Sequence, residues 1–171
     1  VIKLRVMADQ RRSLKHRPRL VRQILKQENT VPPRPAPAAL LPWALSVLGI
    51  SASGPLPILS AVAGDASHRR YFRFAHAAHS YVVVEAPPAT ERNEAFLTVG
   101  ALLADAGVRV PALLGVDLAR GFLLLEDLGD LLLLPALNPA SVEVYYRRAF
   151  EVLAKMAVVD SVRTGLGEYD E

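Results

Sequence analysis

The chain has 171 residues, 51% of them hydrophobic and 22% charged, enough apolar material to bury the core of one domain. It contains no cysteine, which excludes a disulfide framework, a thiolate nucleophile and a cysteine-type zinc site. The formal charge of +3 is unevenly placed: residues 1–34 hold ten Lys/Arg against Asp9 and Glu28, whereas residues 35–171 hold ten against fifteen acids. The basic pI therefore belongs to the first segment, and a nucleic-acid-binding reading of the globular part loses its support.

Residues 1–37 form a basic, Pro-rich stretch closing on Val31-Pro-Pro-Arg-Pro-Ala-Pro37. This composition predicts a disordered, linker-like tail whose removal leaves the stability of the rest within roughly 1 kcal/mol. Its alternative use is as a nucleic-acid-binding arm. Apolar stretches at 38–50 and 121–134 are short or interrupted by Pro42, Glu126, Asp127 and Asp130. No membrane span and no secretory signal are expected, and a cytoplasmic location is.

From residue 38 the pattern becomes dense. Residues 38–48 read as a short helix containing Trp43 and stopped by Gly49, and residues 56–63 as a strand. A turn at Gly64-Asp-Ala-Ser-His68 leads to a second strand at 71–74, and another turn to a third at 81–85, ended by Pro87-Pro88. Thr90, Asn93 and Glu94 can cap a helix whose apolar residues Phe96, Val99, Leu102, Leu103 and Ala106 recur at the helical period, with Gly107 as its stop. Residues 110–117 and 121–126 read as a fourth and fifth strand joined by Ala119-Arg-Gly121, and Pro139-Ala-Ser141 opens a long helix through about residue 159. Three strands, one helix and two strands describe an α+β layer: a five-stranded antiparallel sheet with one packed helix.

The chain resembles the aminoglycoside phosphotransferase/choline kinase-like family, and within it the bacterial kinases of N-acetylmuramate and N-acetylglucosamine. The resemblance rests on five segments in order: Gly64-Asp-Ala-Ser-His-Arg-Arg-Tyr-Phe-Arg73, Tyr81-Val-Val-Val-Glu-Ala-Pro-Pro88, Leu103-Ala-Asp-Ala-Gly-Val-Arg-Val-Pro111, Gly121-Phe-Leu-Leu-Leu-Glu-Asp-Leu-Gly129 and Gly165-Leu-Gly-Glu-Tyr-Asp-Glu171. It implies that residues 38–130 are a protein-kinase-like, nucleotide-binding N-terminal lobe. Residues 131–171 would then be the helical segment after the hinge, where a C-terminal lobe begins.

The implied activity is ATP-dependent phosphorylation of a sugar hydroxyl in cell-wall recycling, with ATP and Mg²⁺ as cofactors. The phosphate loop would be Gly64, Asp65, Ala66, Ser67, His68, Arg69 and Arg70, whose small residues let backbone N–H groups approach a phosphate chain. The adenine pocket and hinge would be Val62, Val83, Glu126, Asp127 and Leu128, with Glu126 and Leu128 acting through main-chain atoms.

Two departures stand beside these matches. The strand lysine that meets nucleotide phosphates in protein kinases falls, by strand alignment, on Glu85, and no lysine lies between Lys26 and Lys155. Arg69, Arg70 and Arg73 could take its part, or be solvated charges on a hairpin. Glu94 matches the helix glutamate that pairs with that lysine. Moreover, no histidine is followed two positions later by aspartate, so no catalytic-loop base is present and no catalytic residue or metal ligand is assigned. The sequence thus predicts a nucleotide-binding half that is inactive alone, with ATP as its partner and the amino sugar bound only alongside a C-terminal lobe. A non-catalytic interaction module, or one half of a split kinase, is the alternative.

Overall fold

The computed structural model describes residues 34–51, 54–62 and 68–159. The basic stretch up to residue 33, the loop at 63–67 and the closing residues from 160 lie outside the described residues, so the expectations for the tail and for Gly64, Asp65, Ala66 and Ser67 do too. A compact unit begins at Ala36. Ala36, within the stretch expected to be a tail, packs half-buried against the core.

Helix α1 (Leu40–Val47) is followed by β1 (Ser60–Val62), β2 (Arg70–His76), β3 (His79–Glu85), α2 (Asn93–Asp105), β4 (Leu113–Asp117) and β5 (Phe122–Glu126), then α3 (Leu133–Ala136) and α4 (Val142–Met156). The five strands form one sheet in the order β1-β2-β3-β5-β4, antiparallel throughout. Both strand hairpins and both long helices stand where the sequence predicts them. The first strand is shorter than expected, at three residues, and the turn between β2 and β3 tightens to Ala77-Ala78. Both α1 and α2 close on glycines with positive φ, Gly49 at 67° and Gly107 at 75°. In each case the next N–H reaches back to a carbonyl of the last turn, Ile50 to Leu45 and Val108 to Leu103. The N-terminus of α2 differs from expectation: no side chain caps it, and buried Asn93 instead donates from Nδ2 to Ala86 O at 2.8 Å, tying the helix to the end of β3.

Cross-strand register sorts the side chains into two faces, because residues paired across antiparallel strands point the same way. Phe72, Phe74, Val83, Phe122 and Leu124 meet Leu40, Ala44 and Leu45 of α1, with Trp43 and Phe122 ring centroids 5.7 Å apart. Tyr71, Val82, Val84, Leu123 and Leu125 meet Phe96 and Leu97 of α2 on the opposite face. The sheet is therefore covered on both sides, and the run Val82-Val-Val84 is apolar at every position because it serves two cores. No residue of α4 is buried, and Phe150, Leu153 and Met156 are exposed on it. Among the described residues no helix is long and apolar enough to cross a membrane.

Candidate active site

A cavity of about 610 Å³ opens on the α2 face of the sheet, between β1, β2 and the chain leaving β5. Val62, Tyr71, Val82 and Leu125 give it an apolar wall, and residues 126–130 form its rim. A second, almost wholly apolar cavity of about 380 Å³ lies between α2 and residues 110–113, sharing Pro111 and Leu125 with the first.

The structure places the expected site residues unequally. Val62 lines the larger cavity, as do Glu126, Asp127 and Leu128. Val83 does not: it is fully buried against α1 on the other face, and the β3 residue in the cavity is Val82. Along a strand a shift of one residue exchanges faces, so choosing between neighbours in a Val-Val-Val run cannot be done from composition. The same alternation moves Glu85 and Arg70 away from the cavity. They are register partners across β2 and β3, and their side chains form an ion pair on the α1 face, with the Arg70 guanidinium 5.3 Å from the Phe72 ring centroid. Glu85 therefore does not face the cavity as a replacement for a strand lysine; Val84 holds the α2-facing position beside it.

Arg73 reaches the rim instead. Its Nη2 donates to Asp127 Oδ1 at 2.9 Å, its Nε lies 2.6 Å from Asp127 Oδ2, and its Nη1 is 2.5 Å from Asp130 Oδ2. Ser80 Oγ donates to Asp127 Oδ2 at 2.5 Å and the Gly129 N–H to Oδ1 at 2.9 Å. One carboxylate thus ties β2, β3 and the segment after β5 into a fixed rim. Glu126 is held separately: its carboxylate pairs with Arg109 and accepts the Ala112 N–H, while its own N–H donates to Ala112 O at 2.9 Å. Its carboxylate and its N–H are thus both engaged within the protein.

Burial acts to raise the Asp127 pKa, but the hydrogen bonds from Arg73, Ser80 and the Gly129 N–H outweigh it and hold it below the usual carboxylate value. A carboxyl depressed in the folded state stabilises the fold above its unfolded pKa, and that contribution is lost as pH falls through the folded value. Urea midpoints measured from pH 7 to pH 3 should therefore show a steeper loss below about pH 4 for the native chain than for Asp127→Asn. Parallel curves would mean that the rim contributes nothing to acid sensitivity.

Sequence reasoning missed Glu91. Glu94, the match from sequence, is exposed in the first turn of α2, whereas Glu91 accepts the His68 N–H at 3.0 Å and lies 3.2 Å from Arg69 Nε. Position 91 precedes the helix, so helical spacing gave no signal for it. Among the described residues no group of three or more His, Asp or Glu side chains is placed to hold a metal ion.

A family model for the phosphotransferase enzyme family matches residues 58–170. The chain is 45% identical over 107 residues to an N-acetylmuramate/N-acetylglucosamine kinase of Pseudomonas aeruginosa, covering 63% of this chain and 31% of that protein. It is 43% identical over 101 residues to the kinase of the same name from Pseudomonas putida, covering 59% and 30%. The chain thus spans about a third of the length of the curated relatives it matches. No solved structure matches it. The match to the family model over most of the described lobe settles the affiliation: this chain belongs to the phosphotransferase enzyme family.

Proposed function

We propose that the chain is the nucleotide-binding part of an ATP-dependent sugar kinase acting on N-acetylmuramate or N-acetylglucosamine. The observation that carries this reading is the cavity between Val62, Tyr71, Val82 and the 126–130 rim, in a chain whose relatives are kinases of those two sugars. An apolar slot with main-chain polar groups along one edge is what a purine needs: its faces are buried and its edge is read. Val62 and Val82 would pack on the base, and the Glu126 carbonyl with the main chain of Leu128 would meet its edge. The phosphates would extend past Tyr71 toward the end of β2 that Arg69 and His68 precede. Mg²⁺, when bound, supplies charge neutralisation at the phosphates.

The chain carries no H-x-D segment to provide a base for the sugar hydroxyl. Purified alone, it is expected to transfer no phosphate from ATP to either sugar. Mixed with the C-terminal two thirds of the Pseudomonas aeruginosa relative, it should regain transfer, read as sugar phosphate formed. Turnover by the chain alone after rigorous purification, or a mixture that neither binds ATP nor turns over, would contradict the reading. The exposed apolar side chains of α4, with Leu131 and Leu134 ahead of it, favour association with such a partner body.

A further inference from the structure

The two faces of the sheet carry their cations differently. Arg70 is committed with Glu85 on the α1 face. Arg69, one residue earlier, lies under α2, its guanidinium 4.5 Å from the Phe96 ring centroid and its Nε 3.2 Å from Glu91 Oε2. The two side chains are only 16% and 9% exposed. The other Glu91 oxygen accepts the His68 N–H at 3.0 Å. A single carboxylate at the approach to α2 therefore fixes both the cation at position 69 and the His68 backbone just ahead of β2. From β3 this face receives Val82 and Val84, so β3 brings no charge to it. Arg69 stands two residues before Tyr71, roughly 7 Å back along the strand and away from the 126–130 rim that Arg73 reaches. A nucleotide laid with its base at the rim carries its phosphates toward that end.

We propose that Glu91 is a positioning residue that holds Arg69 and the His68 backbone so that the guanidinium meets the nucleotide phosphates. This rests on the reading of the cavity as an ATP site, and it places on β2 and the α2 approach a task that protein kinases give to a lysine of the third strand and a glutamate of the helix. Arginine suits the arrangement because its planar guanidinium can stack on the Phe96 ring while its fork of N–H groups stays available to carboxylate and phosphate; an ammonium group also has donors for both but no planar face to stack.

The test is calorimetric titration of ATP and of adenosine into the full chain and its Glu91→Gln, Glu91→Asp and Arg69→Lys variants. Glu91→Gln should lower ATP affinity about tenfold, the size of one charge-assisted hydrogen bond, and leave adenosine unchanged. Glu91→Asp should recover part of the loss. If Glu91→Gln does not fold, Arg69→Lys, which keeps the charge and loses the fork, should show the same selective loss for ATP. Equal losses for ATP and adenosine, or no loss for ATP, would overturn the positioning role while leaving the cavity as the nucleotide site. Binding of neither ligand by the native chain would overturn the ATP-site reading itself, and this proposal with it.

Discussion

Gly121→Ala is expected to destabilise the sheet by roughly 3–5 kcal/mol, combining a left-handed backbone with a steric conflict. Gly121 has φ of 69°, where an L side chain is strained, and a Cβ built there would lie 2.0 Å from Ala86 O and 2.9 Å from Pro88 Cδ. Neither neighbour is the far end of a flexible side chain. The Ala86 N–H donates to Gly121 O at 2.7 Å, and Ala86 O also accepts from Asn93, so this one joint connects the start of β5, the end of β3 and the start of α2. Moving the backbone to admit a methyl group would disturb all three. Urea denaturation followed by circular dichroism measures the loss; a Gly121→Ala variant within about 1 kcal/mol of the native chain would show that the joint is slack.

The second large effect separates the two faces of β3. Val82→Trp should fill the cavity and reduce ATP affinity about a hundredfold or more, a loss of roughly 3 kcal/mol, with little change in stability because position 82 is only half-buried and opens toward the cavity. Val83→Trp should do the reverse. Position 83 is fully buried against Leu40 and Ala44, so overpacking there costs about 1–3 kcal/mol of stability, while the folded fraction keeps its affinity for ATP. Calorimetry on both variants decides the matter. Loss of ATP binding in Val83→Trp with retention in Val82→Trp would reverse the assignment of the faces.

That exchange of neighbours marks the limit of what the sequence discloses. The β-branched run at 81–85, the glycines at 49 and 107 and the apolar period of α2 are local signals, and each element they announced is present. Which of three consecutive valines faces the cavity depends on register with β2 and β5, which no local pattern contains. The same holds for charge. Arg69, Arg70 and Arg73 look like one basic cluster in sequence. In the fold their partners are Glu91, Glu85 and the Asp127–Asp130 pair, on different elements and up to 57 residues away. Glu85, set by strand alignment at the position of the strand lysine, is half of a cross-strand ion pair on the far side of the sheet from the cavity.

Backbone amide chemical shifts, followed while ATP is titrated into isotopically labelled chain, show directly whether the α2-face cavity is the nucleotide site. Concentration-dependent shifts should cluster at Val62, Tyr71, Val82 and residues 125–128, with Leu45, Phe74 and Val83 on the α1 face unmoved. Shifts confined to the α1 face, or to the apolar cavity between α2 and residues 110–113, would contradict that assignment.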